Sequence, residues 1–295
     1  MSKETRMTAL MLMGTVFWAG AFITGKMGVN VLSPILLTFL RMALSALIIF
    51  PGMIIVERSN WKIERERIKY AMAASIVGMI GYHVFFFYAL RYTEASKASI
   101  INGVNPLVTA ILAAVFLKEK LSWRKISLIL IAFIGVTLTL SNWDIKRILQ
   151  FDLNIGDLFM LLGSSLWAAY SIVVKKILPY FTPLKLTSYT FLFSALILLP
   201  FALPELIGLN YGEVGWMPFL AVLYMAVFPS VLGYTIQQMA IQEMGAGKTA
   251  LFINLVPVFS TVFAVVFLKE SLFKLNIISG LMILGSVMLF RKQKT

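Results

Sequence analysis

Runs of roughly twenty predominantly apolar residues, separated by short polar connectors, dominate the chain, and about that many residues carry an α-helix across a bilayer. Ten such runs are read at 7–28, 33–56, 70–90, 97–117, 124–141, 156–177, 184–203, 216–239, 248–268 and 274–290. The longest charged connector runs from Glu57 to Lys69 and is polar enough to be solvated, and no connector is long enough for a soluble domain. The first run resembles a signal peptide, because Lys3 and Arg6 precede it and Ala19-Gly20-Ala21 is a small-residue stretch. It is longer than a typical signal-peptide core, and its participation in a repeat argues that it is retained. The pattern predicts an all-α polytopic membrane protein of ten transmembrane helices.

Composition removes the soluble alternative. Of 295 residues, 60% are apolar and 13% charged, with 23 Phe and no Cys, and the mean hydropathy is +0.88. A soluble domain averages 45–50% apolar and about 25% charged, and one core of this size could not bury the excess. The lack of cysteine excludes thiolate catalysis, cysteine metal sites and disulfide chemistry. The net charge of +13 would suggest nucleic acid in a soluble protein, but the basic residues sit mainly between apolar runs. Eighteen Lys and Arg fall on the side of the chain termini against seven on the other, a bias that places both termini in the cytoplasm of a cell-membrane protein.

An internal repeat organises the spans. Val115-Phe116-Leu117-Lys118-Glu119 recurs as Val266-Phe267-Leu268-Lys269-Glu270, an offset of 151 residues at which Pro106 matches Pro257, Lys97 matches Lys248 and Ala89 matches Ala240. Gly14, Trp18 and Lys26 match Gly163, Trp167 and Lys175 at an offset of 149. The halves, 1–145 and 146–295, hold five spans each, and an odd number inverts the second half relative to the first. Two inverted five-helix repeats are an architecture of secondary transporters, which expose a midplane site to alternate faces.

Ala89-Leu90, Thr93, Ala95, the mid-helix Pro106, Leu117, Glu119 and Trp123, with Gly247-Lys248-Thr249-Ala250-Leu251-Phe252, Asn254, Pro257 and Leu268-Lys269-Glu270 in the second half, resemble the EamA repeat. The chain resembles a ten-helix member of the drug/metabolite transporter superfamily over essentially its whole length. The resemblance implies carriage of small metabolites, often export of amino acids or related compounds.

Candidate site residues cluster in the repeat-matched spans. Pro106 and Pro257 lie in spans 4 and 9 and would free the carbonyls of Asn102 and Ile253; Asn102, Asn105 and Asn254 flank these breaks. They read either as hinges beside a polar-lined cavity or as packing kinks, and matched breaks in both halves favour the former. Trp18 with Trp167, Tyr82 with Tyr234, and Tyr170 and Tyr88 suit a cavity for an amphipathic solute. Ordinary helix packing is the alternative for each ring; Trp18 and Trp167 lie too deep for an interfacial belt, and cavity lining is favoured for those two only.

Arg41, His83, Gln237 and Gln238 complete the intramembrane polar set, while Lys26 and Lys175 are expected to reach the interface. Arg41 reads equally as a carboxylate anchor or a structural donor, and His83 as a packed imidazole, a substrate contact or a proton relay. Every acidic residue, Glu94, Glu119, Asp157, Glu243 and Glu270 included, is placed at a span end or in a connector, so carboxylate-driven proton coupling has no candidate. Small multidrug exporters of the same superfamily carry a glutamate within the first helix, and this chain has none there.

Gly245-Ala246-Gly247-Lys248-Thr249 resembles the end of a phosphate-binding loop but lacks the earlier glycine and the preceding strand, so no ATP use is expected. No cofactor and no metal are expected. An intramembrane enzyme is disfavoured, because one His and no mid-span acid assemble no catalytic set. The expected partners are the lipid bilayer and a small-molecule substrate, without nucleic acid; a homodimer stays open. The leading reading is a secondary carrier, exporting small metabolites such as amino acids by alternating access. A sugar-phosphate or nucleotide-sugar exchanger and a non-transporting receptor or assembly protein are the alternatives.

Overall fold

The computed structural model describes residues 3–116, 118, 121–144, 146, 150, 153–244, 249, 252–271 and 274–292. Leu117, Glu119, Ala250 and Leu251 of the repeat and residues 245–248 lie outside them. Among the described residues all regular structure is helical. Among the same residues, eight helices are long and apolar enough to cross a membrane, and two shorter apolar ones follow. The spans are Lys3–Val29, Pro34–Glu57, Arg65–Tyr92, Ala95–Phe116, Trp123–Leu140, Ile155–Ile177, Pro183–Gly208 and Met217–Ala240, then Val256–Leu268 and Lys274–Lys292. They are numbered 1 to 10 below. Span 7 therefore runs to Gly208, five residues past its expected end at 203.

Helix starts follow local capping chemistry. Ser33 accepts from Leu36 N ahead of Pro34, and Thr182 accepts from Lys185 N ahead of Pro183, the same device 149 residues apart. Ser122 and Asn154 cap spans 5 and 6 likewise.

Packing repeats the duplication. Span 1 lies against spans 8 and 9, and its counterpart, span 6, against spans 3 and 4. Spans 2 and 7, 4 and 9, and 5 and 10 pair with each other. Exchanging the halves leaves this set of pairs unchanged, and because short connectors make successive spans alternate in direction, matched spans run oppositely. The 2–7 seam is stapled at both ends: Glu205 accepts from Ser33 N (3.0 Å) and Ser33 Oγ, and Glu57 accepts from Thr182 Oγ1. Each carboxylate thus sits at the N-terminal end of the partner span, where a negative charge is favourable.

Four interruptions break the regular helices. Span 3 is π-helical over Ser75–Tyr82 and span 8 over Ala226–Leu232, again matched across the repeat. Span 4 stops at Asn102 and restarts at Asn105, and span 9 breaks at Asn254 and Leu255. Pro106 and Pro257 thus stand in the first turn of a new helix rather than inside a kinked one. A missing N–H costs little in a first turn. Around the outside, Leu47, Ile55, Phe201 and Ile207 are exposed, the inverse of a soluble surface, with lipid as the solvent.

Candidate functional site

The breaks in spans 4 and 9 border a central cavity of about 150 Å³. Trp18, Arg41, Tyr82, His83, Asn102, Asn105, Pro106, Trp167, Tyr234, Gln237, Asn254 and Pro257 line it, with apolar wall from Ala21, Phe22, Phe86, Ile253 and Val256. Tyr170 is not among the lining residues; it packs behind Trp167 at 5.0 Å between centroids and against Gly78. Tyr88 packs on Phe159, at 5.5 Å.

The wall is fixed by bonds that also repair the broken helices. At the span 4 break, Ser164 Oγ donates to Asn102 Oδ1 (2.9 Å) and Asn105 Nδ2 donates to Ser164 O (2.7 Å). At the span 9 break, Thr15 Oγ1 donates to Phe252 O (3.1 Å). Thr15 and Ser164 are repeat mates 149 residues apart, a signal that the sequence offered beside the already recognised pair Gly14 and Gly163. Trp18 Nε1 donates to Pro229 O (3.0 Å), within the π-helical part of span 8. The two rings Trp18 and Trp167 reach Tyr234 at 6.5 and 6.2 Å, and Tyr82 meets Trp167 at 4.9 Å. An aromatic band therefore crosses the cavity from one half to the other.

His83 is buried with Nδ1 2.8 Å from Met79 O. A carbonyl can only accept, so Nδ1 carries a proton in this arrangement. Arg41 is 4% exposed, and its Nε donates to Ser230 Oγ (3.1 Å), which itself donates to Met225 O in the widened π turn. Tyr82 and Tyr234 are its electrostatic neighbours. Among the described residues no Asp or Glu lines the cavity. The guanidinium thus faces an aromatic chamber without a counter-charge. Asn254 Nδ2 is buried there with no hydrogen-bond partner. A desolvated cation and an unspent amide donor form a wall that is complementary to an acceptor-rich, anionic solute.

One expectation is corrected by the geometry. Lys26 does not simply reach for the interface: its Nζ donates to Leu90 O (2.7 Å) and Thr93 O (2.8 Å), closing the C-terminal end of span 3. Asp157 is at a span end, as expected, in the first turn of span 6. It is wholly buried, 2.5 Å from Lys97 Nζ, and accepts from Thr93 Oγ1 at 2.6 Å. A buried carboxylate therefore exists, away from the central cavity.

The EamA-like transporter family model matches residues 5–141 and again 154–291. The chain belongs to the EamA-like transporter family. An uncharacterized transporter of Bacillus subtilis, YyaM, is 33% identical over 250 residues, 84% of this chain and 82% of that one. A protein of Streptantibioticus cattleyicolor named "probable terminal-alkyne amino-acid exporter" is 23% identical over 293 residues, 99% and 95% of the two chains. A solved crystal structure shares the fold across 98% of this chain and 99% of its own, at a TM-score of 0.64 and 17% identity. This EamA-like transporter is a multi-pass membrane protein whose duplicated family unit covers both halves of the bundle.

Proposed function

We propose that this EamA-like transporter is a secondary carrier that exports small amphipathic metabolites bearing a carboxylate, amino acids foremost, by alternating access between its inverted repeats. The observation that carries the reading is Arg41, a buried cation with no acidic partner on the cavity wall among the described residues. An uncompensated charge in such a place costs several kcal/mol, and a visiting carboxylate, bound by the planar guanidinium fork, offsets that cost. Trp18, Tyr82, Trp167 and Tyr234 receive the apolar part of the solute, and Asn102, Asn105, Gln237 and Asn254 its remaining polar groups.

The breaks at Pro106 and Pro257 act as the hinges, with repeat units 1–145 and 146–295. The charge bias sets both termini in the cytoplasm and the protein in the cell membrane. A small cavity with one lining cation suits a monoanion or zwitterion better than a sugar phosphate or nucleotide sugar. The name of the Streptantibioticus relative points the same way.

The test is counterflow in proteoliposomes, with purified protein and a panel of amino acids, other monocarboxylates, sugar phosphates and nucleotide sugars. Saturable exchange confined to carboxylate-bearing solutes is expected. Exchange confined to phosphate-bearing solutes overturns the assignment in favour of the alternative exchanger, and ligand binding without flux favours a receptor.

A further inference from the structure

A second opening, of about 720 Å³, lies at the end of the bundle opposite the chain termini, the outer end in the topology proposed above. It is far larger than the central cavity and its wall is polar, but most of that wall is already committed. Lys26 Nζ donates to Leu90 O and Thr93 O, and Lys97 Nζ pairs with Asp157 at 2.5 Å. Asn154 donates to Tyr92 O (3.0 Å) and accepts from Gly156 N (2.7 Å).

Two acceptors on this wall are left over. Asn276, at the start of span 10, is 6% exposed, and its Oδ1 has no hydrogen-bond partner. Glu94 stands in the junction between spans 3 and 4, and among the described residues no hydrogen bond or ion pair reaches its carboxylate. Partial desolvation and the Glu270 carboxylate raise the Glu94 carboxyl, while Lys97 and Lys26 act on it from beyond ion-pair distance. Glu270 itself is occupied, accepting from Ala95 N (2.7 Å), Ser96 N (3.0 Å) and Ser96 Oγ (2.6 Å). A buried acceptor without a donor is costly, and so is a partly desolvated negative charge without a close cation. One visitor relieves both, a positively charged N–H donor.

The charges bordering this end balance, with Lys26, Arg91 and Lys97 set against Glu94, Asp157 and Glu270. A lone cation or anion would upset that balance, whereas a zwitterion preserves it. Arg91, exposed at the end of span 3, makes no bond among the described residues. Its guanidinium fork is therefore open to a carboxylate.

We propose that this vestibule is a second binding site of the carrier, for the head group of an α-amino acid. The ammonium donates to the Glu94 carboxylate and to Asn276 Oδ1, and the amino acid's carboxylate accepts from Arg91. The central cavity offers Arg41 to a carboxylate and, among the described residues, no acid to an amine. The vestibule adds the amine, so it separates an amino acid from a plain monocarboxylate of the same shape. The proposal takes its solute class from the carrier reading, but its test reads binding without flux, so the two fail separately.

The chain contains no cysteine, so one introduced at Ser271, exposed on the vestibule wall, reports occupancy through its rate of labelling by a maleimide. The purified full chain carrying Ser271→Cys is labelled with leucine present, with 4-methylvalerate, which lacks the amine, or with isoamylamine, which lacks the carboxylate. Saturating leucine should slow labelling several-fold, and equally so in an Arg41→Met background, where the central cavity has lost its cation. The two half-analogues should need about 10- to 100-fold higher concentrations, the worth of a hydrogen bond to a charged group. Glu94→Gln should raise the half-protecting leucine concentration by about the same factor. Asn276→Leu should weaken protection too, while the melt of the ligand-free protein holds or rises because an orphaned acceptor is gone. Leucine that gives no protection, protection that vanishes with Arg41→Met, a half-analogue as effective as leucine, or protection unmoved by Glu94→Gln overturns the proposal. Protection that stands while counterflow fails retains the site and removes only the carrier reading.

Discussion

Replacing Arg41 by Met separates the two roles open to that residue. Methionine keeps length and apolar contact but removes the charge and the single donor bond to Ser230. If the guanidinium receives the solute carboxylate, truncating one side of a buried charged contact costs about 2–5 kcal/mol. At 1.4 kcal/mol per tenfold, apparent affinity in counterflow should fall about 30- to 4,000-fold. The empty carrier should respond in the opposite sense. Replacing a buried ion pair or triad by apolar residues of similar volume is neutral or stabilising by about 1–4 kcal/mol, and a lone buried cation should gain at least as much. Ser230 Oγ keeps its bond to Met225 O, so no new orphan is left there. The assay is a thermal melt of detergent-solubilised protein without solute, run beside counterflow. A melt at or above wild type together with lost transport is the expected pattern. A melt that falls while transport persists refutes the reasoning and makes Arg41 a structural donor, as does Ser230→Ala reproducing the transport loss.

Gly156→Ala should destabilise by about 1–3 kcal/mol or more, because a Cβ there would stand 2.8 Å from Thr93 N and Tyr92 C, both backbone atoms that cannot give way. Gly52→Ala, with nothing within 4 Å, should be neutral or stabilising by up to about 1 kcal/mol, and parallel melts compare the two. Ser33→Ala removes a helix cap and the donor to Glu205 and should lower stability by about 1 kcal/mol in the same melts. Partial desolvation and the facing Glu270 carboxylate hold Glu94 above the ordinary value of 4.5. The folded state therefore binds that proton more tightly than the unfolded chain, and the associated penalty, full above the folded value, is relieved as pH falls through it. Wild type should gain stability relative to Glu94→Gln on acidification through the range above 4.5, read as the difference between two melt-versus-pH curves.

Much of the scaffold was legible because lipid imposes a simple code. Roughly twenty apolar residues make a span, and the breaks at Pro106 and Pro257 were visible because proline cannot continue a helix. The repeat offset then singled out Trp18 with Trp167 and Tyr82 with Tyr234, which the fold brings to one chamber. The π-helical segments at Ser75 and Ala226 left no mark in composition, since residues 75–82 read as any apolar helix. Ser230 escaped notice for that reason: only the widened turn aims its hydroxyl at Arg41. Asp157 was read only as a span-end acid because sequence gives distance from a span end, whereas its burial against Lys97 depends on which helices pack across that end. Glu205 was placed in a connector because the expected span ended before Pro204, whereas the helix continues through it to Gly208.

The staples at the two ends of the 2–7 seam carry a consequence for how such a chain arises. Each half contributes one hydroxyl and one terminal acid, and each finds its complement on the other half. A protein half this long, meeting a second copy of itself across a two-fold axis, would satisfy both ends at once, as self-complementary interfaces do. Joining two such copies in one gene therefore required no new bond along this seam. It did free Ser33–Glu205 and Thr182–Glu57 to drift apart, so that one face of the membrane can be loosened by mutation while the other stays shut.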